Sequence, residues 1–392
     1  MKAYLQAARD LFPYTRNLRR DFHKYPELGF QEHRTSEVVA RELGKLEGID
    51  VQRGVAGTGV VGVMKGAKPG KIVLLRFDMD ALPVQENTGV DYISENPGVM
   101  HACGHDGHLA IGLTAAKLLH DQRNQFSGTV KFVFQPAEEG LGGAQKMIEE
   151  GVLLNPVPDI NLALHLWNEK PLGWFGITDG PLMAASDTFE IRITGLGGHG
   201  AKPDEAVDPI TAGAQIVSAV QTLAARELNP LESAVISIAT FQAGTAHNVI
   251  PGEAVLTGTI RTFTPQIRSQ ILKRLNELVP GIAEAMRCKA DISVSDTSPA
   301  VVNSPVIAEV VRKVVRELFA DHDLDSQYRT MVSEDMSLMM QEIPSCYCLV
   351  GSANPDLNLT GKHHQPIFNF DEQAMIYGAS LLCGAVDALL GG

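Results

Sequence analysis

Cysteine is scarce in this sequence, with five residues in a chain of 392. The five are scattered and form no framework of regularly spaced pairs, unlike the cysteines of small disulfide-stapled secreted domains. This pattern favours free thiols in a reducing compartment, so we expect a cytoplasmic protein. The cysteines are Cys103, Cys288, Cys346, Cys348 and Cys383.

Long apolar runs are also missing from the chain. No run approaches the roughly 20 apolar residues that a membrane-spanning helix requires. Charged residues recur through the N-terminal segment, and no apolar stretch of signal-peptide length follows Lys2. We therefore expect neither a membrane span nor a secretory signal.

Positive charge is scarcer than negative charge. Lys and Arg number 33 against 46 Asp and Glu, which gives a formal net charge of −13. Because binding to phosphates needs a positive field, this balance argues against nucleic acid as the main partner. The hydrophobic fraction of 44% and the charged fraction of 20% fit a globular protein. At roughly 150 residues per domain, the length predicts two or three domains.

Several common catalytic motifs are absent, namely the Walker A sequence, HExxH and GxSxG. Two stretches match GxGxxG, beginning at Gly57 and Gly195. Neither has the strand–turn–helix context of a dinucleotide site, because a strand pattern follows the first and Pro203 follows the second. Nucleotide binding is therefore not predicted.

The apolar periodicity of the remaining sequence predicts an α/β protein. Strand and helix patterns alternate from about residue 59 to residue 167, and the strands are nearly continuous apolar runs. Such strands are typical of a mostly parallel sheet whose two faces are covered by helices.

The pattern changes after Gly180. From about Thr188 the order becomes strand–helix–strand–strand–helix–strand, which is the order of a compact ferredoxin-like α+β unit. The α/β pattern resumes near the C-terminus. We therefore predict a mostly parallel α/β domain made of residues 1–185 and 299–392, interrupted by an inserted domain at residues 186–298.

Side chains that can bind metals are concentrated where the predicted strands end. In open α/β sheets the carboxyl ends of the strands form the functional edge, so segments that are distant in sequence meet there. Histidine, thiolate and carboxylate together suit Zn²⁺, Mn²⁺, Co²⁺ or Ni²⁺. The candidates are Asp78, Asp80, His101, Cys103, His105, Asp106, His108, Glu138, Glu139 and His165.

The adjacent pair Glu138–Glu139 allows two interpretations. Acidic residues favour the N-terminus of a helix, so the pair would be the solvated start of the helix predicted after it. Alternatively, one carboxylate ligates a metal while its neighbour carries a proton from the attacking water to the leaving nitrogen. The position directly after a buried strand and a Gln-Pro turn favours the chemical interpretation.

Eight motifs occur in one order along nearly the whole chain, from RRDFHKYPELGFQE near the N-terminus to HHQPIFNFDE near the C-terminus. Between them lie RFDMDALPVQE, MHACGHDGH, FQPAEEG, GGHGAKPDEAVDPI, AGTAHNVIPGEA and GTIRTF. With these motifs the chain resembles the dinuclear amidohydrolases of the hippurate hydrolase and indole-acetyl-amino-acid hydrolase type, in the metallopeptidase family that also contains aminoacylase. The resemblance implies a catalytic domain that carries two metal ions and an inserted satellite, or lid, domain.

The resemblance also implies roles for individual residues of the catalytic domain. Cys103 matches the thiolate that lies between the two ions, and Glu138 matches the general acid/base. His364 fits the family's His-x-Pro sequence, with its neighbour His363 as the alternative. Related subfamilies have a metal-binding histidine where Asp78 stands here, so we interpret Asp78 and Asp80 as residues that orient the ligands. The implied ligands are Cys103, His105, Glu139, His165 and His364.

Three residues of the inserted domain are implied in substrate binding. His199 matches a histidine that polarises the scissile carbonyl, often across a dimer. Asn248 and Arg261 are candidates for binding the α-carboxylate of the substrate, a role that suits the bidentate hydrogen bonds of arginine. The alternative for Arg261 is a surface or interdomain salt bridge.

Together these assignments predict a metal-dependent amidohydrolase that cleaves the amide bond of N-acyl-L-amino acids. One alternative keeps the chemistry and changes the substrate, as in a dipeptidase or carboxypeptidase acting on small peptides. Another is a non-catalytic binder of acyl amino acids. The resemblance further predicts a homodimer or homotetramer through the inserted domain, whose exposed strand edge is available to pair with a second copy.

Overall fold

The computed structural model describes residues 2–391, and within that range the chain forms ten α-helices and sixteen strands. The helices are α1 Lys2–Asp10, α2 Phe12–Lys24, α3 His33–Gly44, α4 His105–Asp121, α5 Gly143–Glu149, α6 Pro209–Arg226, α7 Pro265–Ala285, α8 Pro305–Leu318, α9 Met336–Met339 and α10 Ala374–Leu390. The strands are β1 Ile49–Val55, β2 Gly59–Lys65, β3 Lys68–Asp78, β4 Ser127–Gln135, β5 Ile160–Pro171, β6 Trp174–Gly176, β7 Gly180–Met183, β8 Ala185–Thr194, β9 Gly198–His199, β10 Ala234–Ala243, β11 Val249–Ile250, β12 Glu253–Thr262, β13 Lys289–Ser298, β14 Val301–Asn303, β15 Asp323–Asp325 and β16 Ser345–Ala353.

The chain divides into two compact units. Unit 1 contains the N-terminal part up to Leu182, the segment Val302–Arg329 and the C-terminal part from Asp335. Unit 2 contains Met183–Val301 and the short segment Thr330–Glu334. The short segment belongs to unit 2 because Thr330 forms a parallel bridge with Met183. Unit 2 therefore takes five residues from far along the chain, beyond the single stretch 186–298 that the sequence pattern indicates.

Unit 1 is built on an eight-stranded sheet with the order β1-β2-β4-β3-β5-β16-β6-β15. The four central strands β4, β3, β5 and β16 are mutually parallel. Their carboxyl ends therefore lie along one edge of the sheet, as the rule for open α/β sheets requires. Helix α4 packs against β3, α2 and α10, which covers one face of these strands.

The central strands are apolar on both faces, as is typical of parallel strands in a sheet that is covered on both sides. Every residue of β4 from Val130 to Gln135 is buried, and so is every residue of β3 from Val73 to Asp78. A strand that is buried on both sides is stable only where helices cover both faces of the sheet. Among the polar exceptions, Arg76, Asp78 and Gln135 lie toward the carboxyl ends of these strands, where the candidate ligands are, whereas Lys131 lies nearer the start of β4 and donates to the Leu154 carbonyl.

Unit 2 has a four-stranded antiparallel sheet with the order β10-β12-β8-β13, and α6 and α7 pack against it. Along β12 buried and less buried residues alternate, so one face of the sheet forms the core. Both helices begin at caps: the Asp208 carboxylate accepts from the Ile210 and Thr211 amides, and the Thr264 hydroxyl accepts from the Ile267 amide. This is the ferredoxin-like arrangement, so the predicted fold class is confirmed.

Two local features differ from the sequence-based expectation. The N-terminal helical pattern is divided into α1 and α2, because Pro13 lies in the first turn of α2, where a proline needs no amide hydrogen bond. The sequence did not predict the edge strands β1 and β15 or the strand β6 beside β15, since β6 and β15 have only three residues each and β1 is mostly exposed. Within residues 2–391, no helix has the length and apolar character needed to cross a membrane.

Candidate metal centre

The N-terminus of α4 carries the first two candidate ligands. Gly104 caps the helix in the left-handed conformation with φ 93°, which favours glycine because no Cβ clashes there. Cys103 lies directly before this glycine, and His105 is the first residue of the helix. Both side chains are thereby held at the carboxyl edge of the central strands.

Two groups of potential ligands share the Cys103 thiol. In the first, Cys103, His105 and His165 offer ligand atoms that all lie within 4.8 Å of one another. In the second, Cys103, Glu139 and His364 do the same. The Cys103 Sγ lies 3.4 Å from the His165 Nε2, and the His364 Nε2 lies 3.3 Å from a Glu139 carboxylate oxygen. All five residues predicted as ligands are therefore brought together in unit 1.

The tautomers of the buried histidines suit metal ligation. His105 Nδ1 lies 2.9 Å from the Asp80 carbonyl oxygen, and His165 Nδ1 lies 2.8 Å from the Leu166 carbonyl oxygen. Since a carbonyl only accepts, both Nδ1 atoms carry a proton, and in each ring Nε2 is the atom that is left to bind a metal ion. The buried His105 Nε2 has no hydrogen-bond partner among the described residues. A buried ring nitrogen without a hydrogen-bond partner beside a thiol and carboxylates fits a divalent cation, so these residues would suit metal ions, with Cys103 common to the two ligand groups.

Two aspartates at the carboxyl end of β3, Asp78 and Asp80, support the ligands from behind. The Asp80 carboxylate accepts from the Glu139 amide at 2.9 Å, while its carbonyl oxygen accepts from His105. The Asp78 carboxylate accepts from His108 Nδ1 at 2.5 Å and from the Arg76 guanidinium at 2.7 Å. Asp80 therefore connects ligands from two segments of the chain, and Asp78 is neutralised by its own partners.

The pair Glu138–Glu139 lies in a turn after β4 and precedes α5 by several residues. The pair is therefore not the start of a helix. Glu138, Glu139 and His105 offer ligand atoms within 4.8 Å of one another. Glu139 points toward His364, and Glu138 is at the same centre and partly exposed.

The electrostatics of the centre reflect its acidic surroundings. Burial, followed by the charges of Glu139 and Glu138, raises the pKa of the Cys103 thiol well above its usual value. Burial lowers the pKa of His105, but Asp78 and Asp80 outweigh it and raise the pKa to about 10. Burial lowers the pKa of His165 well below its usual value and keeps that ring neutral. A site that retains protons on a thiol and a histidine in this way attracts cations, which displace those protons.

The three residues predicted to bind substrate lie in unit 2. His199 and Asn248 are neighbours, because β9 pairs with β11 and the Gly200 amide donates to the Asn248 carbonyl at 2.8 Å. Both side chains are exposed. Arg261 lies on β12 and donates to the Ser333 hydroxyl at 2.5 Å.

A buried charge network on α2 was missed by the sequence analysis. Arg19 is fully buried and donates to the Asp106 carboxylate at 2.8 Å, and His23, one helical turn later, binds the same carboxylate at 2.8 Å. The other ring nitrogen of His23 lies 3.1 Å from Glu86. Among the described residues, Asp106 belongs to none of the potential ligand groups, and the network anchors the N-terminus of α4 next to His105. The motif RRDFHK contained these residues, but its helical pattern gave no sign of which charges are buried.

Because of this network, we expect the stability of the protein to depend on pH. Replacement of His23 should remove that part of the pH dependence. Burial disfavours the charged ring of His23, but its hydrogen bonds to Asp106 and Glu86 outweigh burial and raise its pKa above 6.5. The stability that the charged ring contributes is therefore fully present below pH 6.5 and is lost as the pH rises through the folded-state pKa. Each tenfold gain in proton affinity on folding corresponds to about 1.4 kcal/mol of this stability.

The measurement is denaturant unfolding of the metal-loaded wild type and of His23→Gln from about pH 5 to 9. The difference in unfolding free energy should be largest at the acidic end and should shrink as the pH rises. Because Arg19, Asp106, Glu86, Tyr92 and His101 surround the ring in both proteins, their own titration largely cancels in the difference. A difference that stays constant with pH would contradict a charged His23.

Comparison with known proteins identifies the family. Residues 74–388 match the model of peptidase family M20/M25/M40. The chain is 39% identical over 375 residues to thermostable carboxypeptidase 1 of Saccharolobus solfataricus, covering 95% of this chain and 94% of that protein. It is 38% identical over 361 residues to N-acetylcysteine deacetylase of Bacillus subtilis, covering 92% of each.

A solved structure agrees with these relatives. The fold matches the crystal structure of a dinuclear metal-binding M20-family peptidase of Bacillus subtilis with a TM-score of 0.85 and 34% identity. The match covers 97% of this chain and 99% of that one. The chain therefore belongs to peptidase family M20/M25/M40 and is a metal-dependent hydrolase of the amidohydrolase type.

Proposed function

We propose that the protein hydrolyses the amide bond of N-acyl-L-amino acids, such as N-acetyl or N-benzoyl derivatives, and releases a carboxylic acid and an amino acid. The observation that carries the proposal is the pair of ligand groups that share Cys103, with the Glu138 carboxylate beside them. The similarity to a deacetylase of an N-acetylated amino acid over 92% of the chain supports the substrate class.

The proposed ligands are Cys103, His105, Glu139, His165 and His364, which would hold two divalent ions such as Zn²⁺, Mn²⁺, Co²⁺ or Ni²⁺. When bound, the ions supply Lewis acidity, which polarises the amide carbonyl and acidifies water. Glu138 accepts a proton from the attacking water and donates one to the leaving nitrogen. The water oxygen forms the new C–O bond, and the C–N bond breaks to release the amine. Because Glu138 accepts one proton and donates one, its carboxylate ends the cycle in its starting state.

His199 is proposed to stabilise the negative charge that develops on the carbonyl oxygen. The Ala201 amide donates to His199 Nδ1 at 3.0 Å, so this ring is the neutral tautomer with its proton on Nε2. The ring is exposed and presents an N–H donor, which is the kind of group that stabilises an oxyanion. The family resemblance supports this role, whether the histidine comes from the same chain or from a second copy.

Arg261 and Asn248 are proposed to bind the α-carboxylate of the amino acid. A hydrogen bond to a charged group contributes roughly 1.5–3 kcal/mol, so Arg261→Met should raise KM for N-acyl amino acids by about 10–100-fold with a small effect on kcat. An N-acyl amine of the same size, which lacks the carboxylate, is the control substrate. An equal increase in KM for both substrates would show that the substitution disturbs the fold and that Arg261 does not bind the carboxylate.

The alternative function is cleavage of small peptides, which the similarity to a carboxypeptidase favours. One experiment separates the two. The protein is stripped of metal, reloaded with each of the four ions in turn, and assayed on N-acetyl, N-benzoyl and indole-acetyl amino acids beside matching dipeptides. Metal-restored cleavage of the acyl amino acids supports the proposal. Cleavage of the dipeptides alone would assign the protein as a peptidase.

We propose that unit 1 is the catalytic domain and that unit 2 is a satellite domain through which two or four copies associate. The motivation is the family resemblance together with the position of β10 at an edge of the unit 2 sheet. Light scattering of the active protein tests this, since a mass of 42.3 kDa would identify a monomer and contradict it. A cytoplasmic location stays a prediction from the five unpaired cysteines.

A further inference from the structure

Three histidines contact the backbone of a single residue, Leu166, in the candidate metal centre. The Leu166 amide donates to His108 Nε2 at 2.9 Å. The Leu166 carbonyl oxygen lies 2.8 Å from His165 Nδ1 and 3.0 Å from His363 Nε2. The backbone donor and the backbone acceptor of Leu166 are therefore both bound by histidine side chains of the candidate metal centre.

These contacts fix the proton position on each ring. Since the Leu166 carbonyl accepts twice, His165 carries its proton on Nδ1 and His363 carries its proton on Nε2. Since the Leu166 amide donates to His108 Nε2, His108 carries its proton on Nδ1, where it donates to Asp78. His165 is consequently left with a lone pair on Nε2, the atom that lies beside the Cys103 sulfur.

His363 links two candidate ligands that come from distant parts of the chain. It directly precedes His364, while its hydrogen bond reaches the residue after His165. Its ring packs on Trp167 with centroids 4.9 Å apart and on Phe368 at 5.1 Å. The side chain is therefore held by two aromatic neighbours as well as at its donor atom.

The backbone of His364 needs such support. His364 adopts the left-handed conformation with φ 66°, which is unfavourable for a residue with a Cβ. Its amide donates to the Ala102 carbonyl at 2.7 Å, and its side chain is 55% exposed. Solvent surrounds more than half of this ligand, so its placement depends on the backbone on either side.

We propose that His363 is a positioning residue which, through its hydrogen bond to the Leu166 carbonyl, sets the separation of the ligands His165 and His364. The inference rests on the proposed metal centre and adds a determinant of its geometry. His363 touches neither substrate nor ions in this role. Its removal should weaken ion binding by about 10–100-fold, the usual effect of losing a group that orients a ligand.

The test uses substitutions of His363 that separate the effect of its hydrogen bond from the effect of its ring packing. His363→Gln retains an N–H donor near the position of Nε2, whereas His363→Asn is one methylene shorter and does not reach the carbonyl. His363→Phe retains the ring that packs on Trp167 but has no donor. Ion affinity is measured by competition with a chromogenic chelator, and ligand geometry by the visible absorption of the Co²⁺-loaded proteins.

The expected result is a shifted Co²⁺ spectrum and a 10–100-fold weaker affinity for Asn and Phe, with Gln close to the wild type. Wild-type affinity and spectrum in the Asn and Phe variants would overturn the proposal. Equal weakening in Gln would assign the effect to ring packing and would overturn it as well. If the Asn variant does not fold, the Phe variant takes its place.

Failure of this inference is distinguishable from failure of the proposed function. The readout is ion binding, so it remains valid for a wild type that binds two ions and hydrolyses none of the acyl amino acids. In that case the substrate proposal fails and the role of His363 is still measured. If the wild type hydrolyses its substrates and the Asn variant binds ions normally, only the role of His363 is rejected.

Discussion

Replacing Glu138 by glutamine is expected to lower kcat by roughly 10²–10⁴-fold while both ions stay bound. Glutamine has nearly the same shape as glutamate but does not accept and return a proton. Glu138 lies with His105 and Glu139 in one group of potential ligands, yet it belongs to neither of the groups that share Cys103. Its loss should therefore affect proton transfer more than ion binding.

The matched comparison is the same substitution one residue later. Glu139→Gln should lose ion affinity as well as activity, because Glu139 faces His364 at 3.3 Å in a group that shares Cys103. Glu232→Gln, at an exposed position of unit 2, controls for the loss of one negative charge. Metal content by mass spectrometry and kcat are measured on all three. Near-normal turnover of a fully loaded Glu138→Gln protein would rule out the proton-transfer role.

The fold was predictable because local periodicity reports the faces of strands and helices. The apolar runs of β3, β4 and β5 indicated parallel strands, and the alternation along β12 indicated a sheet with one exposed face. The contribution of Thr330–Glu334 to unit 2 was not predictable in this way. It depends on a bridge from Thr330 to Met183, and periodicity carries no information about contacts between residues so far apart.

In the candidate site, too, local patterns could be predicted, whereas contacts between residues far apart in the sequence could not. Strand ends and the HACGHDGH motif located the potential ligands, since topology alone brings the carboxyl ends of neighbouring parallel strands together. Asp78 and Asp80 were predicted to orient the ligands, but the contacts that other distant residues make behind the ligands were not predicted. Arg76 binds Asp78 and also Asp335, which is 259 residues away, and His363 binds the Leu166 carbonyl across 197 residues. A charged residue such as Arg76 within an apolar strand pattern indicates a buried partner, but the pattern does not identify that partner.

Cys103→Ser should give the largest loss of bound metal of any single substitution. Both ligand groups use the Cys103 sulfur, so one change removes a donor from two ions. A serine hydroxyl does not ionise near neutral pH and is a weak ligand for the borderline-soft ions that this mixed set of donors suits. Because losing a supporting group already costs about 10–100-fold, loss of the shared ligand should cost at least about 100-fold in activity.

Cys288→Ser is the matched control, since Cys288 is a buried thiol of unit 2 and its sulfur only approaches the Asp208 carbonyl at 3.7 Å. Metal content is measured after dialysis, and the Co²⁺-loaded proteins are compared for the near-ultraviolet absorption that a thiolate–cobalt bond produces. That absorption should be present in the wild type and in Cys288→Ser and absent in Cys103→Ser. Two firmly bound ions in Cys103→Ser would show that the thiol is not the shared ligand, and the two groups would then have to be occupied independently through their histidines and Glu139.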